Sequence, residues 1–346
     1  MRLLESGLVW REVSRGSSFA LIDLNYIAVQ TQRRTGILAW ACGSFSLTTF
    51  GTSCHRIKSD SGNLQGIARC NRLRRHMGIT LCLINQKGGC GKSSTCFHLA
   101  GAFAGGGAQV LLVDIDPQGS LSQGFLGPAF VENLSAGETL AMLFDESAYF
   151  ADRSHLILPT PFEQISICPA NQHLAPYNSP APETTGMAQQ VLREFLQEYA
   201  SSFDIVLIDC PPNLYRCSWT AMIASDHVII PVPPEDFGTQ GLRAVHQSIE
   251  QARKLNPALR RMGHLVTRCD RRLLIHQSYE ERLRNLYGNM VIDTVIPEAS
   301  AFKVALACRK PVEFYSPKSS AADLTRQLSR EILDRIAERT ARRQVA

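Results

Sequence analysis

The sequence predicts an α/β fold in which a mostly parallel, twisted β-sheet is covered by helices on both faces. Two observations lead to this prediction. From residue 77 onward, short continuous apolar runs recur along the chain, and such runs are typical of strands that both faces of a parallel sheet bury. Segments with apolar residues at helical spacing separate these runs, as expected when each crossover between parallel strands is a helix.

The predicted elements follow one another in a regular order. The first strand, 79–84, leads through a glycine-rich turn into a helix that extends to about residue 104. Further strands are predicted at 110–113, 165–168, 205–208, 228–230, 265–267 and 291–296, and further helices at about 186–200, 215–224, 239–255, 275–287 and 319–342. No internal repeat interrupts this alternation, so residues 77–346 are predicted to form one α/β domain.

The composition is that of a globular protein. Of the 346 residues, 45% are hydrophobic and 19% are charged, which excludes an intrinsically disordered chain, a collagen-like repeat and a long coiled coil. The formal net charge is +5, from 36 Lys and Arg against 31 Asp and Glu. Residues 1–76 hold eleven of the basic residues and four of the acidic ones, so the whole basic excess lies there.

The eleven cysteines do not form the pattern of a disulfide framework. Their number is odd, they are spread along the chain, and no CxxC pair suggests a zinc ribbon. We therefore expect reduced thiols and a cytoplasmic protein. The longest apolar stretch, 37–51, is interrupted by glycine, serine and threonine and is too short to span a bilayer.

The glycine-rich turn after the first strand predicts a phosphate-binding loop. Its three glycines let successive backbone N–H groups point at one anion, and the helix that starts near Lys92 adds its positive end. Lys92 would reach the outer phosphates, and the Ser93 hydroxyl would ligate Mg²⁺. The strict motif has a glycine in place of Gln86, and here a second lysine, Lys87, opens the loop. The predicted binding residues are Lys87, Gly88, Gly89, Cys90, Gly91, Lys92, Ser93 and Ser94.

Two further predicted strands end in acidic residues. The strand at 110–113 is followed by Asp114 and Asp116, and the strand at 205–208 is followed by Asp209. Ligands of open α/β sheets bind at the carboxyl ends of the strands, so these carboxylates are expected beside the phosphate loop. Asp209 fits the role of a Mg²⁺ holder that acts through water, because Mg²⁺ retains much of its hydration shell.

Taken in order, these segments resemble the ParA family of partition ATPases, which have a P-loop NTPase fold and a deviant Walker A motif. The segments are Lys87-Gly-Gly-Cys-Gly-Lys-Ser93, Asp114-Ile-Asp-Pro-Gln-Gly119 and Leu207-Ile-Asp-Cys-Pro-Pro212, and the resemblance extends from about Met77 to the C-terminus. The chain is similar to the small type that lacks an N-terminal DNA-binding domain. The resemblance implies an ATPase that uses ATP and Mg²⁺, forms an ATP-dependent homodimer and partitions chromosomes or plasmids.

The same resemblance implies a role for each residue of the site. Lys87 would be the signature lysine that reaches phosphates bound by the partner subunit, so that slow hydrolysis depends on dimerisation. Lys92 and Asp116 would be the other catalytic residues, with Asp116 positioning the attacking water. Ser93 and Asp209 would share Mg²⁺. The implied switch residues are Asp114, Pro117, Gln118, Pro211 and Pro212.

The resemblance also implies macromolecular partners. Members of this kind bind DNA non-specifically as ATP-bound dimers, and a ParB-like centromere-binding protein stimulates them, so we expect the protein on the nucleoid. The basic residues available for a DNA patch are Arg268, Arg271, Arg272, Lys303, Arg309 and Lys310. One position departs from the family, because Glu298 stands where many relatives have an arginine credited with DNA contact.

Two alternatives share the phosphate loop. A MinD-like membrane-positioning ATPase would need a C-terminal amphipathic helix with bulky apolar anchors. The segment 319–346 instead has leucine and isoleucine residues spaced for packing on the domain, and it lacks Phe and Trp, so membrane docking is disfavoured. A nucleotide-dependent scaffold with negligible hydrolysis is the other alternative.

Residues 1–76 show neither a helical nor a strand periodicity. The family resemblance begins almost directly after Met77, where a short ParA protein would start. We therefore expect 1–76 to be an upstream extension from a mis-assigned start, with translation beginning at Met77. A genuine disordered basic arm that aids DNA binding is the alternative.

Overall fold

The computed structural model describes residues 78–148, 151–234 and 239–345. The strands are β1 Ile79–Leu83, β2 Val110–Asp114, β3 Leu158–Pro159, β4 Ile165–Cys168, β5 Ile205–Asp209, β6 His227–Val232 and β7 Arg260–Val266. The α-helices are α1 Lys92–Gly105, α2 Ser120–Leu126, α3 Pro128–Glu132, α4 Val191–Tyr199, α5 Arg216–Ala224, α6 Thr239–Ala252, α7 Leu274–Tyr287, α8 Ser300–Ala307, α9 Val312–Tyr315 and α10 Ser320–Val345. The extension predicted at 1–76 lies outside the described residues.

All these strands form one sheet in the order β3-β4-β2-β5-β1-β6-β7. Neighbouring strands are parallel, except that β3 pairs antiparallel with β4 at one edge. The register aligns Leu83 of β1 and Asp114 of β2 with Asp209 of β5. The carboxyl ends of the three central strands therefore meet at one edge of the sheet, and the predicted mostly parallel architecture is confirmed.

Helices cover both faces of the sheet, as predicted. Alternate strand residues face opposite layers: Leu81 of β1 packs with α1, α2 and α10, whereas its neighbour Cys82 packs with α4 to α7. Both layers contain large buried side chains, such as Phe97 of α1 and Phe195 of α4. Every residue of β1, β2 and β5 is buried, which explains why these strands are continuous apolar runs in the sequence.

The segment 291–296 is not a strand, contrary to the prediction. It follows the outer side of β7 but contributes only one isolated bridge among the described residues, between Val291 and His264. The reason is a side-chain carboxylate, because Glu331 of α10 accepts the backbone N–H groups of Asp293 and Thr294 at 2.7 and 2.9 Å. Hydrogen bonds to Glu331 thus replace part of a ladder to β7. That strand itself spans Arg260–Val266 rather than the predicted 265–267.

The C-terminal helix α10 is part of the core. Leu328, Ile332 and Ile336 are buried with residues of the sheet and of α1, as their spacing predicted. The helix predicted at 186–200 begins only at Val191, after a short 3₁₀ turn over Gly186–Gln189. Across the described ranges, the model contains no helix that combines the length and the apolar character needed to cross a membrane.

Candidate functional site

The phosphate loop connects β1 to α1 at the carboxyl edge of the sheet. Gly89 and Gly91 have φ angles of 69° and 89°, a region that glycine adopts at little cost. These residues bend the chain around the start of α1, which begins at Lys92. The positive N-terminal end of the helix therefore faces the curled backbone, as an anion-binding loop requires.

Lys92 is buried in this loop despite its charge. Its Nζ donates hydrogen bonds to the carbonyl oxygens of Asn85 and Lys87, both at 3.2 Å. Asn85 is itself fixed, because its side-chain amide donates to the carbonyl oxygen of Pro231 at 2.7 Å and its Oδ1 accepts the Lys87 N–H at 3.1 Å. The ammonium group is thus held beside the loop glycines rather than in bulk solvent.

The loop forms one wall of a cavity of about 480 Å³. Gly88 to Ser94 line this wall, together with Asp116, Gln118 and Pro212 of the predicted switch segments. The opposite wall is mainly apolar and comes from the segment after β7, from α8 and from α10: Ile296, Pro297, Ala299, Phe302, Leu306 and Leu328. A cavity with an anion site at one side and an apolar wall at the other suits a nucleotide.

Asp114 and Asp116 lie at the carboxyl end of β2 in different surroundings. Asp114 is fully buried, and its Oδ2 accepts hydrogen bonds from the N–H and the hydroxyl of Ser122 at 2.8 and 2.7 Å. Burial raises the pKa of Asp114 to about 7, although these hydrogen bonds act to lower it. Burial also raises the pKa of Asp116, whose Oδ1 accepts the Gln118 N–H at 2.9 Å. Because Asp116 faces the cavity, it can orient or polarise a water there.

Asp209 ends β5 between β1 and β2. Both of its carboxylate oxygens are buried, and neither accepts a hydrogen bond of normal geometry from the described residues. Burial raises the pKa of this carboxyl well above its usual range and Asp114 raises it further, whereas the Ser93 hydroxyl and Lys92 lower it. An unpaired buried carboxylate is costly, and a cation beside it would remove that cost.

The donor set around Asp209 fits Mg²⁺. A carboxylate oxygen and the Ser93 hydroxyl are the hard oxygen ligands that this ion prefers, and Mg²⁺ usually takes only one or two protein ligands beside water and phosphate. No group of three or more His, Cys, Asp or Glu side chains suited to hold a metal occurs in the described ranges. Asp209 and Ser93 thus fit the prediction of a Mg²⁺ site in the chemistry of their oxygen atoms.

Thr267 and Ser122 hold the site together and were not predicted from the sequence. The Thr267 hydroxyl donates to the Cys90 carbonyl oxygen at 2.8 Å, which fastens the end of β7 to the phosphate loop. The Ser122 hydroxyl also accepts the Ala170 N–H at 3.0 Å and so connects Asp114 to the chain after β4. Each is one hydroxyl residue near a strand end or in a first helical turn, which is too common a pattern to single out.

Two residues of the predicted DNA patch, Arg268 and Lys303, line the cavity. Both form ion pairs with Glu298, and the Arg268 Nε lies 3.0 Å from Glu298 Oε2. Arg268 also donates through Nη1 to the carbonyl oxygen of Gly89 at 2.9 Å. Among the six predicted patch residues, these two are the ones that the structure brings together.

The other four predicted patch residues lie in different surroundings. Arg272 is exposed and pairs with Asp270 at 2.7 Å. Arg271 lines a separate groove along α7. The Arg309 guanidinium packs against the backbone of Gly127, and Lys310 is exposed.

The remaining predicted site residues divide between core and surface. Of the switch prolines, Pro117 and Pro211 are buried, whereas Pro212 is exposed at the cavity together with Gln118. Lys87 is half-buried, and its ammonium group takes part in none of the ion pairs among the described residues. Ser93 and Ser94 are half-buried and line the cavity.

Comparison with known sequences finds relatives along most of the chain. The model of a family described as an AAA domain matches residues 78–261. The chain is 34% identical to the chromosome-partitioning ATPase Soj of Thermus thermophilus, across 75% of this chain and 96% of that protein. It is 31% identical to the chromosome partitioning protein ParA of Caulobacter vibrioides, across 76% of this chain and 96% of that protein.

Solved structures with the same architecture confirm the predicted P-loop NTPase fold. Cobyrinic acid a,c-diamide synthase from Mycobacterium smegmatis, with bound ATP analog and magnesium, is 26% identical with a TM-score of 0.61, across 73% of this chain and 92% of that one. A putative plasmid partition protein from Borrelia burgdorferi, bound to AMPPNP, is 20% identical with a TM-score of 0.60, across 76% of this chain and 99% of that one. The second likeness shows the fold alone.

Proposed function

This chain belongs to the ParA family of partition ATPases, and we propose that it is an ATP-dependent dimerising ATPase that positions or segregates DNA. It hydrolyses ATP to ADP and phosphate and uses Mg²⁺. One observation carries the proposal. The carboxylates of Asp114, Asp116 and Asp209 meet at the sheet edge beside a phosphate loop that already holds a buried lysine.

Phosphoryl transfer needs positioning and charge neutralisation more than covalent chemistry from the protein. Lys92 would exchange the carbonyl oxygens of Asn85 and Lys87 for phosphate oxygens, because the loop already holds its ammonium group there. Ser93 and Asp209 would hold Mg²⁺, which supplies positive charge at the phosphates when bound. Asp116 would orient the attacking water at the cavity wall.

The position of Asp116 depends on Asp114. The Asp116 N–H donates to Asp114 Oδ1 at 3.2 Å, and Asp114 is fixed in turn by Ser122. A change in Asp114 would therefore reach Asp116 and the following Pro117 and Gln118. This chain of contacts supports a switch role for the segment after β2.

Lys87 would act on the partner subunit. Its backbone belongs to the loop, whereas its ammonium group takes part in no ion pair among the described residues. In a dimer whose phosphate loops face each other, this charge would reach the phosphates bound by the other copy. Hydrolysis would then depend on dimerisation, and the rate of hydrolysis would set how long the dimer lasts before its subunits separate.

We further propose that the ATP-bound dimer binds DNA non-specifically and that a ParB-like centromere-binding protein stimulates hydrolysis. The names of the relatives from Thermus and Caulobacter, which are chromosome-partitioning proteins, support this part of the proposal. Phosphate contacts through arginine and lysine would supply affinity without base recognition. Such a protein would work in the cytoplasm on the nucleoid.

Partition is favoured over a MinD-like role by the C-terminal helix. The apolar side chains of α10 that would have to enter a bilayer, Leu328, Ile332 and Ile336, are buried against the sheet. Inserting them into a membrane would require α10 to leave the core. Among the described residues, the chain has no other apolar C-terminal segment that could enter a membrane.

Phosphate release and light scattering with Mg²⁺–ATP test the ATPase and dimer assignments. Lys92→Ala should lose at least about 100-fold in ATPase activity, because the phosphate charge is no longer neutralised. Lys87→Ala should bind ATP but stay monomeric. Lys318→Ala removes an exposed lysine outside the site and should match the wild type. Full ATPase activity in Lys92→Ala would overturn the site assignment, and an ATP-dependent dimer of Lys87→Ala would overturn the role across the subunits.

The DNA assignment has a separate test. Wild-type protein should bind duplexes of unrelated sequence with similar affinity in ATP and release them as salt rises, whereas ADP should abolish binding. Co-sedimentation with vesicles of anionic phospholipid serves as the contrasting measurement. If the protein bound vesicles but not DNA, the result would contradict the partition function and favour a MinD-like membrane-positioning ATPase.

A further inference from the structure

Glu298 lies between two cations at the mouth of the nucleotide cavity. Its carboxylate pairs with Arg268 at 3.0 Å and also with Lys303. All three side chains line the cavity, and the Glu298 side chain is 30% exposed against 44% for Arg268 and 70% for Lys303. One carboxylate is thus shared by two positively charged side chains of the cavity and offsets half of their charge.

The backbone holds this arrangement in place. The Glu298 N–H donates to the Cys269 carbonyl oxygen at 3.1 Å, next to the bridge between Cys269 and Pro297. Arg268 has a positive φ of 54°, an uncommon conformation for a residue with a side chain. The backbone of the loops that follow β7 therefore places Glu298 and Arg268 next to each other.

Arg268 connects this ion pair to the phosphate loop. While Nε faces Glu298, Nη1 of the same guanidinium donates to the carbonyl oxygen of Gly89 at 2.9 Å. The guanidinium therefore lies against the glycine turn where phosphates are expected. The ion pairs also lower the pKa of Glu298, so its negative charge persists at neutral pH.

We propose that Glu298 is an internal competitor for the phosphates of ATP: a fixed carboxylate that occupies Arg268 and Lys303 until the triphosphate displaces it. This inference rests on the proposed function, because it assumes that the cavity binds ATP. Glu298 lowers the affinity for ATP in two ways. It occupies the two cations, and its own charge repels the phosphates.

We expect this lower affinity to speed the release and exchange of bound nucleotide. A protein that cycles between association and release gains from a cavity whose cations return to an internal ion-pair partner when the nucleotide leaves. Removing one negative charge from a partly exposed cavity mouth should tighten ATP binding by about five- to tenfold, as for a single charge interaction at a partly exposed site.

The test measures equilibrium binding of the fluorescent analogue mant-ATP with Mg²⁺ to the full chain. Glu298→Gln should bind five- to tenfold more tightly than wild type at 50 mM KCl, and this gain should shrink at 300 mM KCl because salt screens the charge. Glu298→Asp keeps the charge and should stay close to wild type. Glu280→Gln is the matched control, since Glu280 is similarly exposed at 23% and pairs with Arg284 at 2.9 Å on α7, outside the cavity.

A second substitution tests the partner. Adding Arg268→Gln to Glu298→Gln should remove part of the gain, because the Arg268 guanidinium, once it no longer pairs with Glu298, contributes to phosphate binding. An unchanged or weaker affinity for mant-ATP in Glu298→Gln, with an unchanged melting temperature, would overturn the inference. A Glu298→Gln variant that binds DNA more tightly but binds mant-ATP with unchanged affinity would also overturn the inference.

The failure of the proposed function would look different. Wild-type protein that does not bind mant-ATP at all would contradict the ATPase assignment itself. Wild-type protein that binds it with the same affinity as Glu298→Gln and Glu298→Asp would contradict only the role of Glu298.

Discussion

Replacing Asp114 by Asn should change how the stability of the nucleotide-free protein depends on pH. Burial raises the pKa of Asp114 from the ordinary value of 3.8 to about 7. Between these values the folded protein keeps a proton that the unfolded chain releases, so stability falls as the pH rises. The contribution of protonated Asp114 is fully present below pH 3.8 and is lost as the pH rises through about 7.

The size of the effect follows from the two pKa values. Proton linkage gives a loss of stability of about 2 kcal/mol on raising the pH from strong acid to 5, and of about 4 kcal/mol on raising it to 8. Asp114 therefore costs the wild-type protein about 2–3 kcal/mol between pH 5 and pH 8. Asp114→Asn should lack this loss, and the loss from Asp209 should shrink with it, because Asp114 raises the pKa of Asp209. The altered hydrogen bonds to Ser122 add an offset that does not depend on pH.

Two buried histidines require that wild type and variant be compared at each pH. Burial lowers the pKa of His98 and of His264 from 6.5 to about 4. Both bind fewer protons when folded, so each one raises stability as the pH increases from 5 to about 6.5. Because wild type and Asp114→Asn share both histidines, their effect cancels in the difference between the two proteins.

Urea unfolding followed by tryptophan fluorescence, without nucleotide or Mg²⁺, measures this difference. Asp114→Asn should gain about 2–3 kcal/mol relative to wild type between pH 5 and pH 8. Asp270→Asn is the control: hydrogen bonds from Arg272 lower the pKa of this partly exposed aspartate to about 2, so it has finished titrating below pH 5. A difference between Asp114→Asn and wild type that stays constant across this range would refute the reasoning.

Three further substitutions test packing and loop geometry. Gly101→Ala would place a Cβ atom in collision with the Cβ of Pro311, so we expect a loss of about 1–3 kcal/mol, seen as a lower melting temperature; an unchanged value would contradict the tight contact between α1 and Pro311. Thr267→Val removes the hydrogen bond to the phosphate loop and should weaken mant-ATP binding about fivefold. Because this hydrogen bond of about 1 kcal/mol is present without nucleotide, the melting temperature should also fall by about 2–4 °C. Glu331→Gln replaces one of the two acceptor oxygens opposite the N–H groups of 293 and 294 by a donor, so urea unfolding should report a loss of about 2–3 kcal/mol, and a neutral result would contradict the explanation for the missing strand.

The central part of the fold could be predicted because its signals are local. β1, β2 and β5 are apolar runs that both faces of the sheet bury, and each run is visible without knowing its neighbours. The two-residue strand β3 could not be predicted, because it exists only through its pairing with β4. The segment 291–296 has the apolar character of a strand, and only the distant Glu331 explains why it does not become one.

Some parts of the candidate site could likewise be predicted from the sequence, and other parts could not. The phosphate loop could be predicted from the spacing of its glycines and Lys92, since these residues act on a ligand from within one turn of chain. The second wall of the cavity could not, because Phe302 and the ion pairs of Glu298 come together only after β7 and α8 have packed beside the loop. Glu298 departs from the resemblance in the sequence, but its contact with Arg268 is a property of the folded chain.

Among the described residues, neither edge of the sheet is a long, uncovered strand. On one side, β3 is two residues long and ends in Pro159, which has no N–H to offer. On the other side, the segment after residue 290 covers β7, and Glu331 accepts hydrogen bonds from the N–H groups of Asp293 and Thr294 in that segment. An open edge invites chains to join by strand addition, the route to aggregates that do not come apart. Copies of this protein would therefore contact one another through loops and helices, and such contacts can be broken without disturbing the fold of any subunit.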